Sequence, residues 1–195
     1  TVAAERNGME DARWVLFNDH NGLSGYRATY TAFDGAGVTS RVLETKDFRK
    51  FTSMELTGTA VANKGVAFFP RKVGGRYLAL SRWDRESNSI AYSDDGYHWN
   101  ESVKFQDATS PWELVHIGNS GSPIETPDGW LVLTHGAGPM REYSLGAVLL
   151  DLEDPSVIRG TLGTPLLTPS QDERNGYVPN AVSYTHLRAH ETRED

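Results

Sequence analysis

The chain has 195 residues, of which 38% are apolar and 23% are charged, with a formal net charge of −7. This balance is typical of one globular domain, and the negative charge argues against nucleic acid, which is bound through basic surfaces. The chain has no cysteine, which excludes disulfides and thiolate metal sites. No apolar run approaches the length of a membrane span and no signal peptide is visible, so we expect a cytoplasmic protein without membrane contact.

In chain order, the pattern predicts short strands joined by tight turns and no helix. Turn signals such as Asn21-Gly22 and Gly74-Gly75 separate runs of alternating apolar and polar residues. The predicted strands span residues 14–17, 26–33 and 38–44, then 66–72, 77–82 and 89–92, and finally 130–134 and 147–152.

The same order of strands and turns recurs along the chain. Tyr30, Tyr77 and Trp130 occupy similar places in it and are 47 and 53 residues apart. A repeat of roughly 50 residues built from short strands indicates β-propeller blades, which need neighbours on each side. We therefore predict an all-β propeller fragment with about three to four blades over residues 1–181. The polar segment 182–195 resembles a translated sequencing adapter and is predicted to be non-native, so the spacing of its His186 and His190 does not indicate a metal site.

Polar clusters recur where a propeller directs side chains toward its central channel. Four of them fall at blade starts or inner strands, at residues 10–13, 63–65, 81–84 and 134–136. In the first, Glu10 and Asp11 are adjacent, so in an extended segment they point to opposite faces. One of the two carboxylates can serve chemistry while the other pairs with a neighbour. Any single cluster is also explained as a turn or a solvated face.

These clusters resemble motifs of glycoside hydrolase family 130. The resemblance rests on Gly8-Met9-Glu10-Asp11-Ala12-Arg13, on Asn63-Lys64-Gly65, and on Gly129-Trp130-Leu131 with His135-Gly136. It covers residues 5–180 and implies a five-bladed β-propeller that cleaves terminal β-mannosidic bonds with inversion. It also implies a small oligosaccharide as the substrate.

The resemblance assigns roles to individual residues. The general acid of the family falls on Asp11, acting through a sugar hydroxyl. Arg82 and His135 are expected to hold phosphate if the enzyme is a phosphorylase. The residues expected to bind or support the sugar are Arg13, Asp34, Asn63, Lys64, Asp84 and Asn180.

Two departures from the family pattern leave the reaction open. Gly65 stands where many members have aspartate, and Glu125 stands where many have a phosphate-binding lysine. Two like charges 4 Å apart repel by about 4 kcal/mol at an effective dielectric near 20. Glu125, or Glu173 as a second candidate, could instead activate water as the base of an inverting hydrolase. A turn carboxylate explains Glu125 equally well.

The sequence therefore slightly favours hydrolysis over phosphorolysis. One alternative is a β-mannoside phosphorylase that uses inorganic phosphate as co-substrate and releases mannose 1-phosphate. Another is a non-catalytic carbohydrate-binding propeller, and an arabinanase-like enzyme would need a carboxylate triad that the Asn-Lys motif does not supply. We expect no metal and no other cofactor, and a homo-oligomer is possible.

Overall fold

The computed structural model describes residues 2–18 and 24–170, except for the side chain of Met140. Glu173, Asn180, the tail 182–195 and the predicted Asn21-Gly22 turn lie outside the described residues. Within the described part, the only helices are three-residue 3-10 turns: Ala3–Glu5, Thr59–Val61, Pro111–Glu113 and Pro139–Arg141. None of the described helices is long and apolar enough to cross a membrane.

The described strands form three antiparallel sheets, which confirms the all-β prediction. The first sheet contains β1 (Met9–Asn18), β2 (Ser24–Phe33), β3 (Val38–Thr45) and β4 (Thr52–Glu55), in that order. The second contains β5 (Ala67–Phe68), β6 (Tyr77–Ser81), β7 (Asn88–Ser93) and β8 (Glu101–Gln106). The third contains β10 (Ile124–Thr126), β11 (Gly129–Ala137), β12 (Tyr143–Leu150) and β13 (Ile158–Thr161), with β9 (His116–Asn119) also paired to β11.

Some strand predictions were wrong in extent. The predicted strand 66–72 is ordered as a strand only over Ala67–Phe68, because Pro70 has no backbone N–H for a ladder. The predicted strand 14–17 begins earlier, at Met9, so the Glu10–Arg13 cluster lies inside β1 and not before it.

The first strands of the three sheets lie side by side, and neighbouring strands contact each other at both of their ends. At one end, Arg13 Nη1 donates to Gly65 O at 2.8 Å and also bonds Asn119 Oδ1. We call this the leading end. At the other, the trailing end, Asn18 N donates to Pro70 O at 2.8 Å. On the first sheet the contacting residues, Arg13 and Asn18, are five positions apart, and on the second sheet Gly65 and Pro70 are also five apart. The two chain segments therefore run in the same direction.

Two apolar cores hold the sheets against one another. The middle sheet contributes to both, because alternate residues of its strands point to opposite faces. Phe68 packs toward Val15 and Val42 of the first sheet. Phe69 packs toward the third sheet, where its ring lies 5.0 Å from that of Trp130.

Backbone hydrogen bonds also join the first sheet to the second. The chain leaving β4 pairs with the segment before β8: Thr57 N donates to Tyr97 O at 3.0 Å, and Trp99 N donates to Thr57 O at 2.8 Å. Gly58 follows with φ +112°, and a Cβ there would lie 2.1 Å from Trp99 O. Only glycine fits this crossing.

Candidate active site

The leading end brings one residue of each sheet into contact. Arg13 of β1 is partly buried and donates to Gly65 O and Asn119 Oδ1, and Asn119 Nδ2 donates to the same carbonyl at 2.7 Å. The amide of Asn119 is therefore fixed in orientation. This three-sheet junction is the frame on which the remaining polar groups are arranged.

Asp11 projects from a bulge in β1. The pairing with β2 shifts between Glu10 and Arg13, where two residues of β1 oppose one of β2, and Asp11 has φ +56°. Bulges commonly re-aim a side chain beside an active site, and a positive φ is tolerated by aspartate better than by most residues. The bulge breaks the strict alternation that the sequence predicts. The Asp11 carboxylate acts electrostatically on Arg13, whereas Glu10 pairs with Lys64.

Arg82 and His135 approach each other over Gly118. A Cβ placed on Gly118 would lie 2.8 Å from His135 Nε2 and 2.9 Å from Arg82 Nη1. The missing side chain thus leaves room for both groups above the backbone of β9. The structure brings together Arg13, Arg82 and His135, and Asp11 acts on Arg13 from the neighbouring bulge. The sequence had named all four.

The electrostatics of this group are dominated by positive charge. Burial, together with the cations Arg13 and Arg82, lowers the pKa of His135 to about 3. Burial lowers the pKa of Arg13 to about 10 and also lowers that of Arg82. Among residues 2–18 and 24–170, no carboxylate oxygen lies within 4 Å of a nitrogen of Arg13 or Arg82. His135 is therefore a neutral hydrogen-bonding group between two arginines, in a place suited to an anion.

Two further rings complete this surface and were not named from the sequence. His116 lies 5.9 Å from His135 and 5.4 Å from Tyr143, measured between ring centroids. Burial and the charges of Arg82 and Arg141 lower the pKa of His116. His116 begins β9, and Gly118 and Asn119 end it. No motif or spacing in the sequence indicates that these residues belong to the site, because it is the pairing of β9 with β11 that places them there.

Several predicted sugar-binding residues also have structural partners. Asp34 Oδ1 accepts the backbone N–H groups of Ala36 and Gly37, each at 2.8 Å, which lowers its pKa. Asp84 caps the turn after β6 in a similar way. Asn63 bonds the carbonyl of Trp83 and accepts from Arg85, so its amide is fixed beside the loop that carries Arg82.

Glu125 lies away from Asp11, the other predicted catalytic residue among those that the structure describes. It lies on β10 at the trailing end, and Arg71 grips its carboxylate through Nη2 at 2.6 Å and Nε at 2.9 Å. The guanidinium of Arg71 in turn stacks over Trp130 at 4.9 Å. Hydrogen bonds from Arg71 lower the pKa of Glu125. Since five extended residues separate the two ends of the inner strands, Glu125 is about 17 Å along the sheet from the leading end.

No described group of three or more His, Asp or Glu side chains is arranged to hold a metal ion. The candidate site consists of one carboxylate, two guanidinium groups, two imidazoles, one amide and one phenol, which belong to Asp11, Arg13, Arg82, His116, His135, Asn119 and Tyr143. This set suits a polyhydroxylated substrate together with an anion.

Three antiparallel sheets packed side by side, with polar groups gathered along their first strands, are typical of the β-propeller class. The comparison with family models then gives the family: the chain belongs to glycoside hydrolase family 130, whose model, described as beta-1,4-mannooligosaccharide phosphorylase, matches residues 1–193.

Individual relatives agree with this assignment. The chain is 34% identical over 187 residues to the 1,2-beta-oligomannan phosphorylase of Thermoanaerobacter sp., covering 91% of this chain and 60% of the relative. It is 34% identical over 184 residues to the beta-1,2-mannobiose phosphorylase of Listeria innocua, covering 90% and 50%.

A solved structure of the Listeria innocua enzyme in complex with beta-1,2-mannobiose superposes with a TM-score of 0.79 at 30% identity. The match covers 93% of this chain and 52% of that one. The chain thus spans about half to three-fifths of the length of these relatives.

Proposed function

We propose that the protein containing this chain is an inverting β-mannoside phosphorylase. The observation that carries the proposal is the leading end itself, where Asp11 projects beside Arg13 while Arg82 and His135 face each other over Gly118. A neutral imidazole between two guanidinium groups favours binding of phosphate through charge-assisted hydrogen bonds. The names of the relatives, all of them phosphorylases among those described above, support the same reaction.

In the proposed reaction, phosphate held by Arg82 and His135 attacks the anomeric carbon of a terminal mannose from the face opposite the leaving sugar. A bond from this carbon to a phosphate oxygen forms as its bond to the leaving oxygen breaks. Asp11, as the general acid, supplies the proton that the leaving oxygen acquires, relayed through a sugar hydroxyl. The products are mannose 1-phosphate of inverted configuration and the shortened sugar.

The slight preference for hydrolysis, drawn from the sequence, is not supported. It depended on Glu125 as the base that activates water. In an inverting hydrolase, the two carboxyl groups lie about 6.5–9.5 Å apart. The pairing of Glu125 with Arg71 at the trailing end favours a structural role for this residue. Glu173 remains a predicted base that lies outside the described residues.

Product analysis tests the proposal directly. The purified protein is incubated with β-1,2-mannobiose, with and without inorganic phosphate, and the sugars are separated by anion-exchange chromatography. We expect mannose 1-phosphate and mannose in equal amounts when phosphate is present, and no cleavage without it. Free mannose at the same rate in both samples would overturn phosphorolysis in favour of hydrolysis.

The adjacent carboxylates provide a matched pair of variants. Asp11→Asn removes the proton donor and is expected to slow turnover by about 10²- to 10⁴-fold. Glu10→Gln removes the neighbouring charge, which lies half-exposed in an ion pair with Lys64. A loss of turnover in Glu10→Gln equal to that in Asp11→Asn would contradict the assignment of the acid to Asp11.

A further inference from the structure

A second cleft opens between the first and second sheets, away from the candidate active site. Its volume is about 600 Å³, and Phe17 and Ser24 at the trailing end of β1 and β2 both line it. Small-molecule sites in proteins typically occupy ~300–1,000 Å³. Four extended residues, about 13 Å, separate Phe17 from Arg13 at the leading end. The cleft is therefore separate from the site that contains Asp11.

Aromatic rings form the walls of this cleft. Phe17 and Tyr77 stack on each other with their centroids 5.3 Å apart and their planes inclined at 22°. Tyr26 and Tyr97 also line the cleft. The guanidinium of Arg27 lies over the rings of Phe17, Tyr77 and Tyr97 at 5.4–5.5 Å, and each tyrosine adds a polar hydroxyl to this otherwise apolar wall. Such a surface suits a ligand that is apolar on the faces of its rings and polar at its edges, as a sugar is.

The ionic groups in the cleft compensate one another. Arg27 is only 7% exposed and its Nε lies 2.8 Å from Glu44 Oε1. The hydroxyl of Tyr97 donates to the same carboxylate at 3.0 Å. Among the described residues, three charges of each sign line the cleft: Arg27, Lys46 and Lys50 against Glu44, Asp47 and Asp95. Because neither sign of charge is in excess among these described residues, the cleft favours a neutral polar ligand over an ion.

We propose that this cleft is a second, non-catalytic binding site for a neutral oligosaccharide of a few sugar units. It would hold a chain on the face of the protein opposite the catalytic groups. The choice of a mannosyl ligand rests on the proposed function, whereas the existence of the site rests on the cleft alone.

Thr52 offers a variant that fills the cleft without removing a core contact. This residue lies exposed on β4 and lines the cleft. Thr52→Trp should occlude the space, and Thr52→Ala is its matched control. Binding of β-1,2-mannotriose is measured by isothermal titration calorimetry in phosphate-free buffer, and turnover of β-1,2-mannobiose with phosphate is measured separately. We expect two equivalents bound in the wild type and in Thr52→Ala, and one in Thr52→Trp with unchanged turnover.

Tyr97 provides an independent variant. Tyr97→Phe keeps the ring, and Tyr97→Ala removes it and should weaken binding in the cleft at least 10-fold. A single equivalent in an active wild type would overturn this inference and leave the proposed function intact, as would two equivalents in Thr52→Trp. Loss of one equivalent in Thr52→Trp, when the wild type shows no turnover, would overturn the proposed function and support the second site.

Discussion

Arg71 and Arg82 both belong to the middle sheet, yet they sit at its opposite ends in opposite circumstances. Arg71 is held by the carboxylate of Glu125 at 2.6 Å and by the face of Trp130 at 4.9 Å. Arg82 is withdrawn from water, which lowers its pKa, and no described carboxylate oxygen lies within 4 Å of its nitrogens.

The difference between the two residues distinguishes a charged group that stabilises the fold, Arg71, from a charged group suited to binding a ligand, Arg82. A cation with its carboxylate in place contributes to holding two sheets together. Buried cations with no described carboxylate within 4 Å, such as Arg13 and Arg82, reduce the stability of the folded protein, and such groups cluster where a charged ligand binds. The contrast supports the proposal that the leading end binds an anion, whereas the pair Arg71–Glu125 at the trailing end holds two sheets together.

Replacing each arginine by methionine tests this separation most strongly. Arg82→Met removes the proposed charged hydrogen-bond donor to phosphate, a loss of about 1.5–3 kcal/mol, so kcat/KM for phosphate should fall about 10- to 150-fold. Arg71→Met should leave this parameter unchanged and lower the midpoint of thermal unfolding. Steady-state kinetics with varied phosphate provide the measurement. Equal kinetic losses in the two variants would break the comparison.

Acid should destabilise the leading end through His135. Its pKa is about 3 in the folded protein, against an ordinary value of 6.5, so below pH 6.5 the unfolded chain binds a proton that the folded chain does not. The stability that His135 contributes is thus full above pH 6.5 and is lost as the pH falls toward 3. Between pH 7 and pH 5 the loss is about 2 kcal/mol.

Urea unfolding at pH 7 and pH 5 measures this loss, with His135→Asn as the comparison. The variant should lose about 2 kcal/mol less than the wild type over this interval. Added phosphate should reduce the loss in the wild type, because a nearby anion favours the protonated imidazole. The same pH dependence in both proteins would contradict the account of His135.

The smallest effect is expected at the trailing end. Glu125→Gln keeps the shape of the side chain and removes its charge. Because the side chain is 41% exposed, the pair should contribute only about 0.2–1 kcal/mol to the free energy of unfolding. Turnover should not change. If steady-state assays showed turnover slowed as strongly as in Asp11→Asn, Glu125 would be restored as a catalytic group.

The sequence predicted the repeat and the all-β fold, and it named Arg13, Arg82 and His135, which lie together at the leading end, because these features are written in local patterns and motifs. It did not predict Asn119 or Tyr143. These residues enter the site through the pairing of β9 and β12 with β11, which depends on contacts distant in sequence. The ambiguity over Glu125 had the same origin, since its partner Arg71 is 54 residues away.

The crossing at Gly58 has a consequence for how the molecule comes apart. Thr57 gives its N–H and its carbonyl to the second sheet while the chain around it still belongs to the first. The outer strand β4 of the first sheet therefore cannot separate without breaking backbone hydrogen bonds of the second sheet. Local unfolding therefore involves both sheets, and we expect the amide hydrogens of the first and second sheets to exchange as one cooperative block.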